Sequence, residues 1–350
     1  MSLTLTDIVG LLIIYQSLVF VFSLLFNKKS KPLFVKILLT FCLIIISHFG
    51  YMLYETYVPG NQILLGPFFG LCYGPVYYMY TKSLIVETSN LKKFSLHLIP
   101  AFMAMLLSVF FGKLLANFID GIGLVVTLHF IVYLFISLAL LFKYREQLKK
   151  TTSSFYNISL FWLEIMIYLQ LTTIVVMLLE NYFQSTIATN TFILIIYILT
   201  LILIHCFYYL GLKQLRLFRG FKEENVITVI PKGYAIPEEV FNSYLNKLNT
   251  YFEKEKPYLE FDISLKDISD KLAISPRNLS HVINKEFKRN FYDFINHYRL
   301  ELVKQNLQAS EKPIKEIMYD SGFSNKATFN SIFKKSTGLT PTQFRRSQKS

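Results

Sequence analysis

Two short stretches near the C-terminus carry amides, hydroxyls and cations at helical spacing. In the later stretch, Phe329, Ile332 and Phe333 fall on one side of a predicted helix. The outward side then carries Asn325, Lys326, Asn330, Ser331 and Lys334. Such groups on an exposed helix can pair with base edges and phosphates in a major groove. A solvated surface helix has the same kind of polar face and remains the alternative.

The earlier stretch follows the same plan. Its apolar side has Leu279, Val282 and Ile283, and its outward side has Arg277, Ser280, His281 and Asn284. Ser275 is a fitting N-cap for this helix, and Pro276 suits its first position. In the later stretch we predict Ser324 as the N-cap, and Gly322 can take the left-handed conformation that ends the preceding helix.

Both stretches lie within an internal repeat, whose copies are LKDISDKLAISPRNLSHVINKEFKRNFYDFINHYR and IKEIMYDSGFSNKATFNSIFKKSTGLTPTQFR. Each copy predicts a short helix, a tight turn and a second helix, and the second copy has an extra residue after its turn. The intervening sequence can form one helix of about 18 residues, roughly 27 Å long. This helix could hold the second helices of the two copies, which carry the polar faces described above, about one DNA turn apart, near 34 Å. We call these second helices the reading helices.

The charge distribution favours a polyanionic partner for the same segment. The formal net charge of the 350-residue chain is +13. Residues 274–350 hold 14 basic and 6 acidic side chains, a surplus of 8. A basic surplus confined to one small segment is typical of nucleic-acid binding, and solubility charge is the alternative.

The rest of the chain is apolar enough to lie in a membrane. About 20 apolar residues are needed for a helix to cross the hydrocarbon layer. We predict seven such spans, at 5–26, 34–54, 63–85, 95–116, 120–142, 157–179 and 190–211. The first lacks a basic region and a cleavage site, so we interpret it as a span rather than a signal peptide.

The Lys and Arg residues near the span ends predict the orientation. One set of ends carries fifteen of them, and the other set carries only Lys113. Because basic residues are retained on the cytoplasmic side, the N-terminus is predicted outside and the C-terminus in the cytoplasm. We therefore predict a multi-pass protein of the cytoplasmic (inner) membrane.

Ionisable residues inside the spans are costly and often functional. Glu164 and His205 lie at similar depth in neighbouring predicted spans and could pair, and His48 and His129 lie near the opposite ends of theirs. A sensing role is one hypothesis for these four residues. The alternative is a neutral side chain satisfied by a neighbouring helix.

Three glycines in the third predicted span repeat every four residues. Gly66, Gly70 and Gly74 stack on one helix face and allow another helix to approach closely. Packing within the bundle is the first interpretation, and homodimerisation is the second.

Residues 255–346 closely resemble the DNA-binding domain of the AraC family of bacterial transcription regulators. The resemblance is carried by Ile314, Ile317, Gly322, Phe323, Phe329, Phe333, Lys334, Lys335, Gly338, Thr340, Pro341, Phe344 and Arg345. It implies seven helices with two helix-turn-helix motifs. It also implies base-reading positions at Arg277, Ser280, His281, Lys326, Ala327, Asn330 and Ser331. The layout of spans followed by this domain resembles a membrane-embedded subgroup of the family.

Two positions depart from the family pattern. The family usually has Gly where this chain has Ala273 and Lys288, whereas the second copy keeps Gly322 and Gly338. A residue with a side chain at positive φ costs on the order of 1 kcal/mol. The first motif is therefore expected to be less rigid or to have different turns.

These observations predict an all-α chain in three parts. Residues 1–212 form a seven-helix membrane bundle and residues 213–237 a juxtamembrane linker. Residues 238–350 form a cytoplasmic AraC-type domain, with its two motifs at about 265–289 and 314–337. The first helix of this domain is predicted from Pro237, with one apolar face formed by Val240, Tyr244, Leu248 and Tyr251/Phe252.

The predicted function is a membrane-bound one-component transcription regulator. Its predicted partners are double-stranded DNA, the lipid bilayer, an unknown small-molecule or envelope signal, and a second copy of the chain. No cofactor, metal or enzymatic activity is predicted. The alternatives are a transporter or channel with a regulatory helix-turn-helix tail, and an interaction protein whose motif binds protein.

Overall fold

A computed structural model describes residues 3–26, 33–58, 63–85, 95–153, 159–183, 186–217 and 236–348. Within these ranges the chain forms helices and short 3-10 turns, and the predicted all-α class is confirmed. The chain divides into two compact units. We call them the apolar unit, Met1–Phe142 with Leu160–Arg219, and the C-terminal unit, Lys143–Ser159 with Gly220–Ser350.

Seven long helices run through or into the apolar unit. They are α1 Leu5–Phe26, α2 Leu33–Tyr57, α3 Gly66–Ile85, α4 Ile99–Ala116, α5 Ile119–Thr151, α6 Phe161–Phe183 and α7 Thr186–Leu217. Six of them are long and apolar enough to cross a membrane, as predicted, and α3 is the exception. The predicted count of seven spans stays a prediction.

The less apolar α3 is packed inside its unit. Its side chains at Cys72, Val76 and Tyr77 are buried, so the helix offers less surface to lipid than its length suggests. A side chain at Gly70 would overlap Val126 of α5, and a Cβ at Gly74 would come within 2.9 Å of Tyr133. The packing interpretation is therefore supported at Gly70 and Gly74, whereas a Cβ at Gly66 would meet no atom within 4 Å.

Within the C-terminal unit, residues 236–348 form seven α-helices, as the family resemblance implied. They are α8 Glu238–Glu255, α9 Leu265–Leu272, α10 Pro276–Phe287, α11 Phe291–Ala309, α12 Ile314–Asp320, α13 Lys326–Thr337 and α14 Pro341–Ser347. The predicted long helix between the two motifs is α11, with 19 residues. Most of the predicted linker lies outside the described residues.

Two apolar cores share α11. Phe252, Leu279 and Phe294 belong to the core around the first motif, and Val303 and Phe333 belong to the core around the second. Because α11 contributes to both cores, the two motifs are connected by side-chain packing on a shared helix as well as by the polypeptide chain. Helices of this length gain most of their stability from such packing rather than from intrinsic propensity.

The apolar face of α8 contains Leu248 and Phe252, as predicted, and differs from the prediction at its N-terminal end. We expected Val240 to face the core, but it is 37% exposed, and Phe241 is buried in its place. The larger aromatic ring contributes more apolar area. It also contacts α10, where His281 lies edge-on at 6.4 Å between ring centroids.

Candidate nucleic-acid interface

The first helix-turn-helix motif is formed by α9 and α10. Ser264 caps α9 in a reciprocal capping box, since its side chain accepts from the Asp267 backbone and the Asp267 carboxylate accepts from the Ser264 backbone. Ser275 caps α10, as predicted, by accepting from Asn278 N–H at 3.2 Å. Pro276 occupies the first helical position.

The turns of this motif keep the left-handed conformation although glycine is absent. Ala273 ends α9 at φ 52°, and Lys288 ends α10 at φ 53°. The expectation of different turns at these positions is therefore wrong, because both backbones adopt the conformation for which the family uses glycine. The first motif retains its shape at a conformational cost.

The reading face of α10 is partly covered. Ser280 was predicted to face outward, but it is 5% exposed and accepts from the Asn284 amide at 3.3 Å. Arg277 and His281 are half-buried. On this helix, the Phe241 ring of α8 contacts the His281 ring, and Lys285 Nζ lies 4.4 Å from the Phe241 centroid.

The second motif is formed by α12 and α13. Gly322 follows α12 at φ 83°, in the left-handed conformation predicted for it. The predicted N-cap, Ser324, is wrong. Asn325 caps α13 instead, by accepting from Thr328 N–H at 3.0 Å. The extra residue in this copy's turn places Asn325 at the helix start, and both residue types are good caps.

The reading face of α13 is open. Five predicted DNA-contacting side chains are exposed together, namely Lys326, Ala327, Asn330, Ser331 and Lys334. On the opposite side, Phe329 and Phe333 are buried. The Phe333 ring meets Phe344 of α14 at 5.4 Å, which fixes α13 against the core and holds its polar face outward.

The helix after α13 completes the second motif. Thr340 caps α14 in a reciprocal capping box with Gln343. From α14, the Arg345 guanidinium donates to the Lys312 carbonyl at 2.7 Å, just before α12. Gly338 ends α13 at φ 77°. The helices before and after α13 are therefore held in place by helix caps and by the charge-assisted hydrogen bond from Arg345 to the Lys312 carbonyl.

One buried charged residue was not predicted from the sequence. Arg299 of α11 is 2% exposed and donates to the carbonyls of Tyr258 at 2.7 Å and Glu260 at 2.6 Å. Burial lowers the pKa of Arg299 to about 10, so the side chain is still charged at neutral pH. The sequence feature that could have indicated its burial is the position of this arginine, four residues after the buried Ile295, on the apolar face of a predicted helix.

The predicted sensing residues have local partners in the apolar unit. His205 Nδ1 lies 2.9 Å from the Gln16 amide, and Glu164 accepts from Tyr168 at 3.2 Å. His48 Nδ1 lies 2.7 Å from the Tyr73 hydroxyl. His129 meets the ring of Tyr133 at 4.9 Å. A shared sensing site for these four residues stays a prediction. Among the described residues, the structure has no group of three or more His, Cys, Asp or Glu side chains placed to hold a metal ion.

Comparison with known proteins places the similarity in the C-terminal unit. A family model described as a helix-turn-helix domain matches residues 268–347. An uncharacterized HTH-type transcriptional regulator of Staphylococcus aureus strain COL is 28% identical over 121 residues. YijO of Escherichia coli K12, another uncharacterized HTH-type transcriptional regulator, is 31% identical over 84 residues. The C-terminal unit carries an AraC-type helix-turn-helix domain.

These matches cover only part of each protein. The aligned region is 35% of this chain and 16% of the Staphylococcus regulator, and 24% of this chain and 30% of YijO. Among solved structures, the C-terminal domain of AraT, a response regulator from Geobacillus stearothermophilus, is 29% identical, with a TM-score of 0.28, and the match covers 30% of this chain and 84% of that one. The C-terminal domain of the response regulator yesN from Fusobacterium nucleatum is 31% identical, with a TM-score of 0.27, and the match covers 30% of this chain and 98% of that one.

Proposed function

We propose that the chain is a membrane-bound one-component transcription regulator, which binds double-stranded DNA sequence-specifically through both motifs. The observation that carries this proposal is the open face of α13 on an AraC-type domain. Lys326 and Lys334 can contact phosphates or guanine, Asn330 can pair with adenine, and the Ala327 methyl can contact thymine. The chain acts by binding rather than by catalysis, without a metal or cofactor.

The apolar unit is the proposed sensor. Its six candidate spans support a place in the bilayer, and the fifteen-to-one bias of basic residues supports a cytoplasmic C-terminal unit. The proposed signal is a small molecule or an envelope state, with Glu164, His205, His48 and His129 as the candidate sensing residues. A second copy of the chain is a further proposed partner.

DNA binding is tested by gel shift with the full chain in detergent and an operator selected in vitro. Affinity should fall steeply as salt rises, because phosphate contacts release counterions. The Lys326→Ala/Asn330→Ala variant should bind at least about tenfold more weakly and lose sequence preference. The exposed Lys247→Ala on α8 is the matched control and should bind like the wild type. Unchanged preference in the double variant would refute the assignment of these residues.

Orientation is tested separately by protease treatment of cells whose outer barrier has been opened. A tag after Ser350 should be protected until the inner membrane is broken, whereas a tag before Met1 should be removed at once. Cleavage of the C-terminal tag in sealed cells would show that the DNA-binding domain lies on the wrong side of the membrane.

A further inference from the structure

The segment that follows α5 pairs with the backbone just before the first motif. Thr152 forms an isolated antiparallel bridge with Ser264. Ser153 donates to the Ile263 carbonyl from its N–H at 3.2 Å and from its Oγ at 2.8 Å. Thr152 is 2% exposed and Ser153 is 6% exposed. Residues 143–159 belong to the C-terminal unit, so this contact lies within one compact unit.

The partner of this segment is a short stretch of chain that touches both motifs. We call residues 258–264 the strap. At its C-terminal end, Ser264 caps α9 of the first motif. At its N-terminal end, the carbonyl of Tyr258 and the Cα of Leu259 lie against the turn of the second motif, where a side chain on Gly322 would overlap them. A displacement of the strap would therefore change contacts of both motifs.

Arg299 ties the strap to α11 and to the docked segment. Its guanidinium donates to three strap carbonyls, those of Tyr258, Glu260 and Phe261, the last at 3.3 Å. The same guanidinium reaches Ser153 Oγ at 3.4 Å. Its Cζ also lies 5.7 Å from the centroid of the Phe323 ring in the second motif. One buried cation thus contacts the strap, the second motif and the segment after α5.

We propose that the strap is a docking surface for the chain's own Thr152–Ser153 segment, and that this contact sets the relative arrangement of the two motifs. The inference deepens the proposed function and depends on it. Backbone pairing at an exposed edge is a common mode of peptide recognition. Here the peptide belongs to the same chain and follows α5 directly.

The covalent path through α5 is short. This helix runs from Ile119 to Thr151, and its residues up to Phe142 belong to the apolar unit. At 1.5 Å per residue, 33 residues span about 50 Å, well beyond the 30 Å of hydrocarbon. No residue separates Thr151 from the docked segment, whereas 20 residues separate Leu217 of α7 from Glu238 of α8. The path from α5 is therefore the more direct route for a signal from the apolar unit.

Disulfide trapping tests the contact in the full chain, in native membranes. Antiparallel partners lie at a Cα separation that a disulfide can bridge, so Thr152→Cys with Ser264→Cys should cross-link rapidly on mild oxidation. The background carries alanine at Cys42, Cys72 and Cys206. The control pair is Thr152→Cys with Asp270→Cys, on the exposed surface of α9. Equal cross-linking of the two pairs would overturn the docking proposal.

The consequence for DNA is tested with Ser153→Pro, which removes the N–H and hydroxyl that bond to Ile263. The matched control is Thr151→Ala, whose hydroxyl bonds only to carbonyls of its own helix, at 3.4 Å to Gln147 and 3.2 Å to Leu148. In the full chain, Ser153→Pro should change affinity for a selected two-site operator by about fivefold or more, the lower range of allosteric coupling.

The outcomes separate the two proposals. If the wild-type chain does not bind the operator, the proposed function fails, while disulfide trapping still reports on the docking. If the wild type binds and Ser153→Pro binds equally well, the coupling through the strap is refuted. If Ser153→Pro does not fold, Ser153→Ala removes the hydroxyl alone, and it should change affinity for the operator by at least about twofold. An unchanged affinity for Ser153→Ala would then refute the coupling.

Discussion

The two helix-turn-helix motifs share one topology but differ in how much of the polar face of their second helix, α10 or α13, is exposed to solvent. In the second motif, Asn330 lies on an open face. The equivalent residue of the first motif is Ser280, one position after the matching Leu279 and Phe329, and it is buried. In the first motif, Phe241 of α8 also packs against α10, where it meets the His281 ring. Equivalent sequence positions therefore do not guarantee equivalent access to DNA.

The motifs also reach the same turn geometry by different means. Gly322 follows α12 at φ 83°, and its counterpart Ala273 follows α9 at φ 52°. The second motif needs glycine for space as well as for conformation, because the strap lies against that turn. The first motif accommodates a methyl group there, so only the conformational cost remains.

The largest effect is expected at the residue that joins both motifs to the strap. Arg299→Met should lower the free energy of unfolding of the 236–350 fragment by about 3 kcal/mol or more, because two short charge-assisted bonds are lost at about 1.5–3 kcal/mol each. Urea denaturation followed by circular dichroism measures the loss. The exposed Arg346→Met is the control, expected within about 0.5 kcal/mol of wild type. A similar small loss in both variants would mean that Arg299 does not hold the strap.

The second prediction compares two glycines of the second motif. Gly322→Ala should destabilise the same fragment by about 2–4 kcal/mol, from positive φ together with the overlap with the Tyr258 carbonyl. Gly338→Ala has the same sign of φ but open space around it, and it should cost only about 1 kcal/mol. Thermal and urea unfolding of both variants give the difference. Equal losses would show that the strap does not press on the Gly322 turn.

The third prediction tests the open face against the covered one. Asn330→Ala should weaken binding to the selected operator by about 1–3 kcal/mol and relax the base preference at one position. The equivalent Ser280→Ala should change affinity for the operator by less than about 0.5 kcal/mol, because the Ser280 side chain is only 5% exposed and its hydroxyl is already bonded to the Asn284 amide. Gel shifts on operators with single base changes measure both. A larger loss of preference in Ser280→Ala would mean that the Ser280 side chain becomes accessible when the domain binds DNA.

Local signals predicted much of this unit. Ser275 and Pro276 marked the start of α10, and the apolar spacing of α11 gave its existence and approximate length, because both depend on neighbours within a few residues. The choice between Ser324 and Asn325 could not be made, since either side chain can cap a helix. The face of α8 depended on whether Val240 or Phe241 met α10, which is a tertiary contact.

The least predictable features are the most distant in sequence. The hydrogen bond between Ser153 and Ile263 joins residues 110 positions apart, and no local pattern around Thr152 indicates a bridge. Arg299 lies on an apolar stripe, where a cation is costly unless partners are supplied by other segments. Those partners are backbone carbonyls of the strap, which every residue carries, so side-chain types could not reveal them.

The smallest predicted effect concerns the turn of the first motif. Ala273→Gly should stabilise the 236–350 fragment by about 0.5–1 kcal/mol, because the relief of positive φ exceeds the entropy that glycine adds to the unfolded chain. The control is Ala309→Gly in the last turn of α11, where φ is helical and glycine should destabilise by a similar amount. Urea unfolding curves give both values. A loss of stability in Ala273→Gly would mean that the Ala273 methyl group makes favourable contacts in this turn. Alanine would then stabilise the first motif at the position where the second motif has Gly322.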